Sequence, residues 1–164
     1  MAQQLFDRRA NPDFPLERKP RLLIVDEKEE DLREYSEMLR GLDYNVRPAT
    51  SYSDAAALLE KEPFDLVIVD QGSEDFGGRA VLCRAVEIDH KTPVLVLTGV
   101  IDPGCCISAL DLGAREYVQK NLTRSELQEL VAEYLDPPIE FSSAQPESLF
   151  DSDGANLERW RKAS

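Results

Sequence analysis

Phe64-Asp65-Leu66-Val67-Ile68-Val69-Asp70 carries four consecutive aliphatic residues into a carboxylate, and a loop containing Gly72 follows at once. A strand that is apolar at both parities is buried on both faces, as in a parallel sheet sandwiched between helices. Three further stretches end the same way at a polar group. Leu22-Leu23-Ile24-Val25-Asp26-Glu27 ends in carboxylates, Pro93-Val94-Leu95-Val96-Leu97-Thr98 in a hydroxyl, and Glu116-Tyr117-Val118-Gln119-Lys120 in an ammonium. The carboxyl ends of strands in an open parallel sheet share one edge, where ligands bind. Asp26, Glu27, Asp70, Thr98 and Lys120 are therefore expected to converge on one site.

Outward from this stretch, strands and helices alternate. Asp31–Leu42 sets Leu32, Tyr35, Leu39 and Leu42 at helical spacing, with Gly41 as a stop signal. Tyr44–Ala49 reads as a short strand. A helix opens at Ser53-Asp54 and closes at Pro63, and another covers Gly78–Ile88. Asp102-Pro103 starts a short helix to Leu112, as an N-cap followed by Pro should. Arg115–Gln119 is a strand. Thr123 and Glu126 form a capping box for Thr123–Leu135, whose inward face is Leu127, Leu130, Val131 and Tyr134. Five strands alternating with five helices predict an α/β doubly wound parallel sheet.

The chain has 164 residues, enough for one domain plus tails. Residues 1–20 hold three prolines and no periodicity, and read as a flexible N-terminal arm. Residues 21–136 form the domain. Pro137-Pro138 ends the last helix, and 137–164 reads as a flexible tail with a short helix at Ala155–Lys162. Of the net charge of −13, +1 lies on residues 1–20, −2 on 137–164 and −12 on 21–136. Such a surface repels nucleic acid, whose binding rests on phosphate neutralisation. No apolar run approaches the roughly 18–20 residues that span a bilayer, and the N-terminus lacks a secretory signal. A cytoplasmic protein without membrane or nucleic-acid contacts is expected. Cys83, Cys105 and Cys106 lack metal spacing and read as reduced thiols, and His90 in Asp89-His90-Lys91 as a surface residue.

Crowded carboxylates repel unless a cation sits between them. Acids without His or Cys suit Mg²⁺, which takes hard oxygen ligands. Asp70 is the nucleophile candidate, since a carboxylate can attack phosphorus to give an acyl phosphate. Mg²⁺ and Lys120 would supply positive charge, and the Thr98 hydroxyl would bond a phosphoryl oxygen. Before phosphorylation Lys120 would only neutralise nearby acids, so its loss is expected to leave the fold nearly intact. Taken singly, the acids read first as solvated strand ends, Lys120 as a solvated strand-end lysine and Thr98 as a β-former closing its strand.

Residues 21–136 resemble the receiver domain of two-component response regulators. The resemblance is carried by Leu23-Ile24-Val25-Asp26-Glu27, by Asp65–Asp70 with Gly78 eight residues on, by Pro93–Thr98 with Gly99, and by Gly113-Ala114-Arg115-Glu116-Tyr117-Val118-Gln119-Lys120. It implies a flavodoxin-like fold with strand order 2-1-3-4-5. It implies that Asp70 is the phosphoacceptor and that Asp26, Glu27, Asp70 and the Gly72 carbonyl surround Mg²⁺. It further implies that Lys120 binds the phosphoryl group and that Thr98 and Tyr117 form a switch pair, although Tyr117 as plain core packing stays open. The function implied is a stand-alone receiver, not a turnover enzyme, that catalyses its own Mg²⁺-dependent phosphorylation and slow dephosphorylation. A histidine kinase or phosphotransfer protein would donate the phosphoryl group. An output protein would bind the face built from residues 102–135, and phosphorylation could also drive a homodimer. The alternative is a receiver-like binding module that works without phosphorylation.

Four positions depart from the family pattern. Glu27 replaces the second Asp of a frequent pair. Glu74 stands where the loop after Asp70 often has Pro, which suggests a more mobile loop. Lys120-Asn121 replaces a Lys-Pro peptide that is often cis. A cis bond before a non-proline residue costs about 2.5–4 kcal/mol, so a trans peptide and a different aim for Lys120 are expected. Val100 is apolar at the mouth of the site and would hinder an attacking water. Other classes fit worse. An Asp-x-Asp phosphatase needs an acid where Gly72 stands, and Glu27-Lys28-Glu29-Glu30-Asp31 would repel a flavin phosphate. No Gly-x-Gly-x-x-Gly or phosphate loop is present.

Overall fold

The structure, a computed structural model, describes residues 19–73 and 75–135. The arm expected at 1–20, save its last two residues, lies outside the described residues, as do Glu74 and the tail at 137–164 with its short helix. The strands are β1 (Arg21–Val25), β2 (Asn45–Ala49), β3 (Leu66–Asp70), β4 (Val94–Thr98) and β5 (Glu116–Gln119). The helices are α1 (Glu29–Gly41), α2 (Tyr52–Lys61), α3 (Arg79–Ile88), α4 (Pro103–Asp111) and α5 (Arg124–Leu135). All strand pairs are parallel, in the order β2-β1-β3-β4-β5. This is the expected doubly wound, flavodoxin-like arrangement.

The apolar runs sit where hydrophobicity sends them. β3 and β4 are buried at every position, whereas the edge strand β2 is buried only at Val46 and Ala49 and accommodates Pro48. Alternate residues feed two separate cores. Leu22, Ile24, Leu66, Ile68, Leu95 and Leu97 pack against Leu32, Tyr35 and Leu39 of α1 and Leu127 and Val131 of α5. Leu23, Val25, Val67, Val69, Val94, Val96 and Tyr117 pack against residues of α2, α3 and α4. Each fully buried Leu or Ile contributes roughly 1.5–3 kcal/mol of apolar burial.

The same alternation sorts the polar strand ends. Asp26 continues the row Leu22-Ile24, and Asp70 the row Leu66-Ile68, both on the α1–α5 side. Thr98 continues Val94-Val96 on the opposite side, where Tyr117 pairs in register with Val96.

Local signals behave as read at three helix starts and depart at two others. The capping box of α5 forms: the Glu126 amide donates to Thr123 Oγ1 at 3.1 Å and the Thr123 amide to Glu126 Oε2 at 2.8 Å. The Cys105 amide donates to Asp102 Oδ1 at 3.0 Å, with Pro103 opening α4. α3 begins beside Gly78 as expected. α2 begins earlier than Ser53, because Ser51 is the cap and accepts from the Asp54 amide at 3.1 Å. α1 likewise begins at Glu29 rather than Asp31, its first turn filled by Glu29, Glu30 and Asp31. Negative charge there is favourable against the helix dipole. The left-handed residue after α1 is Asp43 (φ 71°), not Gly41.

Candidate functional site

The strand register puts the carboxylates of Asp26 and Asp70 side by side at the carboxyl edge, 3% and 9% exposed. Lys120, one residue past β5, lies on the same side of the sheet as both. Its Nζ is 2.7 Å from Asp26 Oδ2, 2.8 Å from Asp70 Oδ1 and 2.9 Å from Asp31 Oδ2. The Lys28 amide adds a 2.9 Å hydrogen bond to Asp26 Oδ1. No cis peptide occurs among the described residues. Asn121 instead turns left-handed (φ 74°), its amide donating to the Tyr35 hydroxyl at 3.0 Å, and Lys120 still reaches the acids.

The electrostatics follow from burial and crowding. Burial pushes the Asp26 carboxyl above its ordinary value; hydrogen bonds from Lys120 and the Lys28 amide recover part of that, and the charge of Asp70 works against them. Burial alone would lower the Lys120 ammonium, yet bonds to Asp26, Asp70 and Asp31 outweigh it and hold it well above the usual lysine range. The Lys120 side chain is 9% exposed. Its removal would leave buried carboxylates unpaired, which corrects the expectation that it is dispensable for folding.

Two expected members stand apart from this cluster. Glu27 is exposed, though its charge still acts on Tyr52 at the same edge. Thr98, on the opposite side of the sheet, donates its hydroxyl to the Val100 carbonyl at 2.7 Å and accepts from the Val100 amide at 3.3 Å. It is not one of the partners of the lysine. Gly72 follows Asp70 by two residues in a left-handed conformation (φ 85°). The loop carrying it closes on itself through the Gly78 amide and the Gln71 carbonyl, 3.0 Å apart.

Tyr117 is 1% exposed, its ring already inside the core. Its hydroxyl donates to Gln71 Oε1 and accepts from the Asp102 amide at 3.1 Å. Burial raises its pKa, partly offset by the Asp102 amide and the Thr98 side chain. The resemblance implied a switch pair of Thr98 and Tyr117, with plain core packing of Tyr117 left open; the ring is inside the core in the unphosphorylated chain. Gln71 gives the buried hydroxyl a partner there.

Three residues of the site escaped the sequence reading. Asp31 looked like one acid in a charge run but supplies a third carboxylate to Lys120. Gln71, buried beside the nucleophile candidate, ties the loop to Tyr117. Tyr52, at the start of α2, brings its hydroxyl within 3.4 Å of both Asp70 Oδ2 and the Asp70 carbonyl oxygen. Gly72 and Gly77 were the one available signal for Tyr52, since side-chain-free positions in a loop make room for a neighbour.

The donor set is compatible with a divalent cation. Three carboxylates share a single ammonium, so by count the cluster is short of positive charge. Its ligands are hard oxygens, as Mg²⁺ prefers. Among the described residues, no three His, Cys, Asp or Glu side chains form a ready cage. The ammonium lies among the buried acids and Glu27 is exposed, so backbone carbonyl and water would have to complete a coordination shell.

Comparison with known proteins places the same segment at the centre. The family model for the response regulator receiver domain matches residues 22–132. The chain is 32% identical over 114 residues to the transcriptional regulatory protein ZraR of Salmonella typhimurium, covering 70% of this chain and 26% of that one. It is 33% identical over 115 residues to the response regulator protein PilR of Pseudomonas aeruginosa, again 70% and 26%. The chain thus spans about a quarter of the length of these curated relatives. A CheY-like receiver domain protein from Methanospirillum hungatei superposes with a TM-score of 0.68 at 27% identity, over 72% of this chain and 94% of that one. A response regulator from Chloroflexus aurantiacus gives 0.66 at 28%, over 72% and 98%.

Proposed function

As the chain belongs to the response regulator receiver domain family, we propose that Asp70 accepts a phosphoryl group from a histidine kinase or phosphotransfer protein. The observation that carries this is the Lys120 ammonium, held against Asp26, Asp31 and Asp70 from the far end of the domain. A carboxylate beside an ammonium can attack phosphorus, and the ammonium can then pair with the phosphoryl oxygens. Mg²⁺ would be held by Asp26, Asp70 and the Gly72 carbonyl, with Glu27 nearby, and when bound it supplies charge neutralisation at the transferring group. The protein catalyses its own modification and is not a turnover enzyme.

The signal leaves by protein contact through residues 102–135, where Tyr117 joins Gln71 to the start of α4. Among the described residues no helix is long and apolar enough to cross a membrane, in keeping with a cytoplasmic receiver. A receiver-like module independent of phosphorylation is the second reading, and Tyr117, already buried, is what favours it.

The test is incubation with Mg²⁺ and acetyl phosphate, followed by intact-mass measurement. The wild type is expected to gain one phosphoryl group, and Asp70→Asn or chelator to abolish the gain. A gain that survives either change contradicts the assignment. A partner bound equally by wild type and Asp70→Asn would favour the second reading.

A further inference from the structure

The two oxygens of Asp70 are held differently. Oδ1 lies 2.8 Å from the Lys120 ammonium. Oδ2 has a looser partner, the Tyr52 hydroxyl at 3.4 Å, which also reaches the Asp70 carbonyl oxygen at 3.4 Å. The ring of Tyr52 is seated by design of the loop. A Cβ on Gly72 would fall 2.5 Å from the Tyr52 hydroxyl oxygen, and one on Gly77 would fall 2.7 Å from ring Cε2. Both positions carry no side chain, and Gly72 has φ 85° besides. Phe76, next to Gly77, is buried in the core with φ 55°, which anchors that end of the loop beside the tyrosine. Ser51 caps α2 one residue earlier and fixes where the ring starts.

We infer that Tyr52 is a positioning residue that restrains Asp70 before phosphoryl transfer. This rests on the phosphoacceptor reading above and adds a brake to it. With Oδ1 engaged by the ammonium, Oδ2 is the oxygen free to attack. Oδ2 forms a bond to phosphorus as the bond from phosphorus to the acetate oxygen of acetyl phosphate breaks, and acetate leaves with the electron pair. The Tyr52 hydroxyl keeps its proton throughout. It bonds Oδ2 while that oxygen carries charge, and loses that acceptor once the oxygen bridges carbon and phosphorus. The bond thus stabilises the resting carboxylate and not the product, and interactions made only in the ground state slow the chemical step. The Asp70 carbonyl remains as acceptor, so the ring stays seated over Gly72 and Gly77.

The test compares wild type with Tyr52→Phe, which keeps the ring and removes one oxygen. Phosphorylation by acetyl phosphate with Mg²⁺ is expected to run about three- to tenfold faster in Tyr52→Phe, the rate equivalent of one weak hydrogen bond to a charged group. The thermal midpoint should be nearly unchanged. A second readout needs no turnover. In protein labelled with ¹³C at tyrosine Cζ, the Tyr52 resonance of the Mg²⁺-free wild type should move in Asp70→Asn. Beryllofluoride with Mg²⁺ should move the wild-type resonance in the same direction. An unchanged or slower rate in Tyr52→Phe, or a Tyr52 resonance indifferent to Asp70→Asn, overturns the role of Tyr52 while leaving the phosphoacceptor reading in place. A wild type and Tyr52→Phe that both gain no phosphoryl group overturn that reading, and this inference with it.

Discussion

On the α1–α5 side of the sheet the rows Leu22-Ile24 and Leu66-Ile68 end in Asp26 and Asp70, whereas on the α2–α4 side the row Val94-Val96 ends in Thr98 beside Tyr117. The first side is held by charge, with one ammonium against three carboxylates. The second is held by neutral hydrogen bonds among Thr98, Val100, Tyr117, Gln71 and Asp102. Both ends are buried, yet they answer to different perturbations. Added charge, metal or a change of pH acts on the first. Packing and hydrogen-bond geometry dominate the second. A phosphoryl group on Asp70 changes the charged side, so a signal that reaches α4 must cross the sheet. Gln71, the next residue in the chain, bonds Tyr117 on the other side and is where the proposed signal would cross.

The contrast breaks most readily at Lys120. Lys120→Met keeps the stem and removes the charge, leaving Asp26 and Asp70 buried without their counterion. Unfolding in urea with chelator should show a loss of about 3–5 kcal/mol, and Mg²⁺ should restore part of it. Unchanged stability in chelator would mean that charge does not hold this side. The equivalent loss on the neutral side should be smaller. Gln71→Ala removes one of two partners of the Tyr117 hydroxyl and should cost about 1–3 kcal/mol, whatever the Mg²⁺ concentration. It should also blunt the change in hydrogen exchange that beryllofluoride produces over residues 102–135. A full change there in Gln71→Ala would show that the crossing lies elsewhere.

Alkaline titration sharpens the same difference. The folded Lys120 holds its proton above the unfolded value of about 10.4. Its contribution is therefore complete below that pH and is lost as pH rises toward the folded value. Wild type should lose more stability than Lys120→Met across this window, measured as the difference in urea midpoints. Equal losses would mean that the ammonium gains nothing from its partners. The smallest effect is expected at the far end of the neutral side. Asp102→Ala removes the cap of α4 and should cost about 1 kcal/mol, readable as a modest fall in thermal midpoint with phosphorylation of Asp70 intact.

That the central strands are covered on both faces was legible in the sequence; which residue faces which side was not. β1, β3 and β4 read as apolar runs because strands covered on both faces carry no polar position, and the capping residues Thr123, Glu126 and Asp102 act locally. The cluster of Asp26, Asp70 and Lys120 was legible because all three lie at strand ends on one edge. The aim of Thr98 was not, since a strand end says which edge a residue reaches, while a strand apolar at both parities does not say which face each parity takes. Tyr52 and Gln71 were hidden for a different reason. Tyr52 meets Asp70 across 18 residues and Gln71 meets Tyr117 across 46. The first depends on how α2 seats on the sheet and the second on how the loop after β3 turns toward β5, and no spacing in the chain encodes either.

The central claim is that the charged side exists to let one carboxylate, Asp70, take a phosphoryl group. Hydride reduction of the phosphorylated chain converts an acyl phosphate to the corresponding alcohol, and peptide mass spectrometry then reads which acid was modified. The expected result is the alcohol at residue 70 and at no other acid, absent when Mg²⁺ is withheld. The alcohol at Asp26, Glu27 or Asp31, or a chain that gains phosphoryl mass yet yields no alcohol at all, would contradict it.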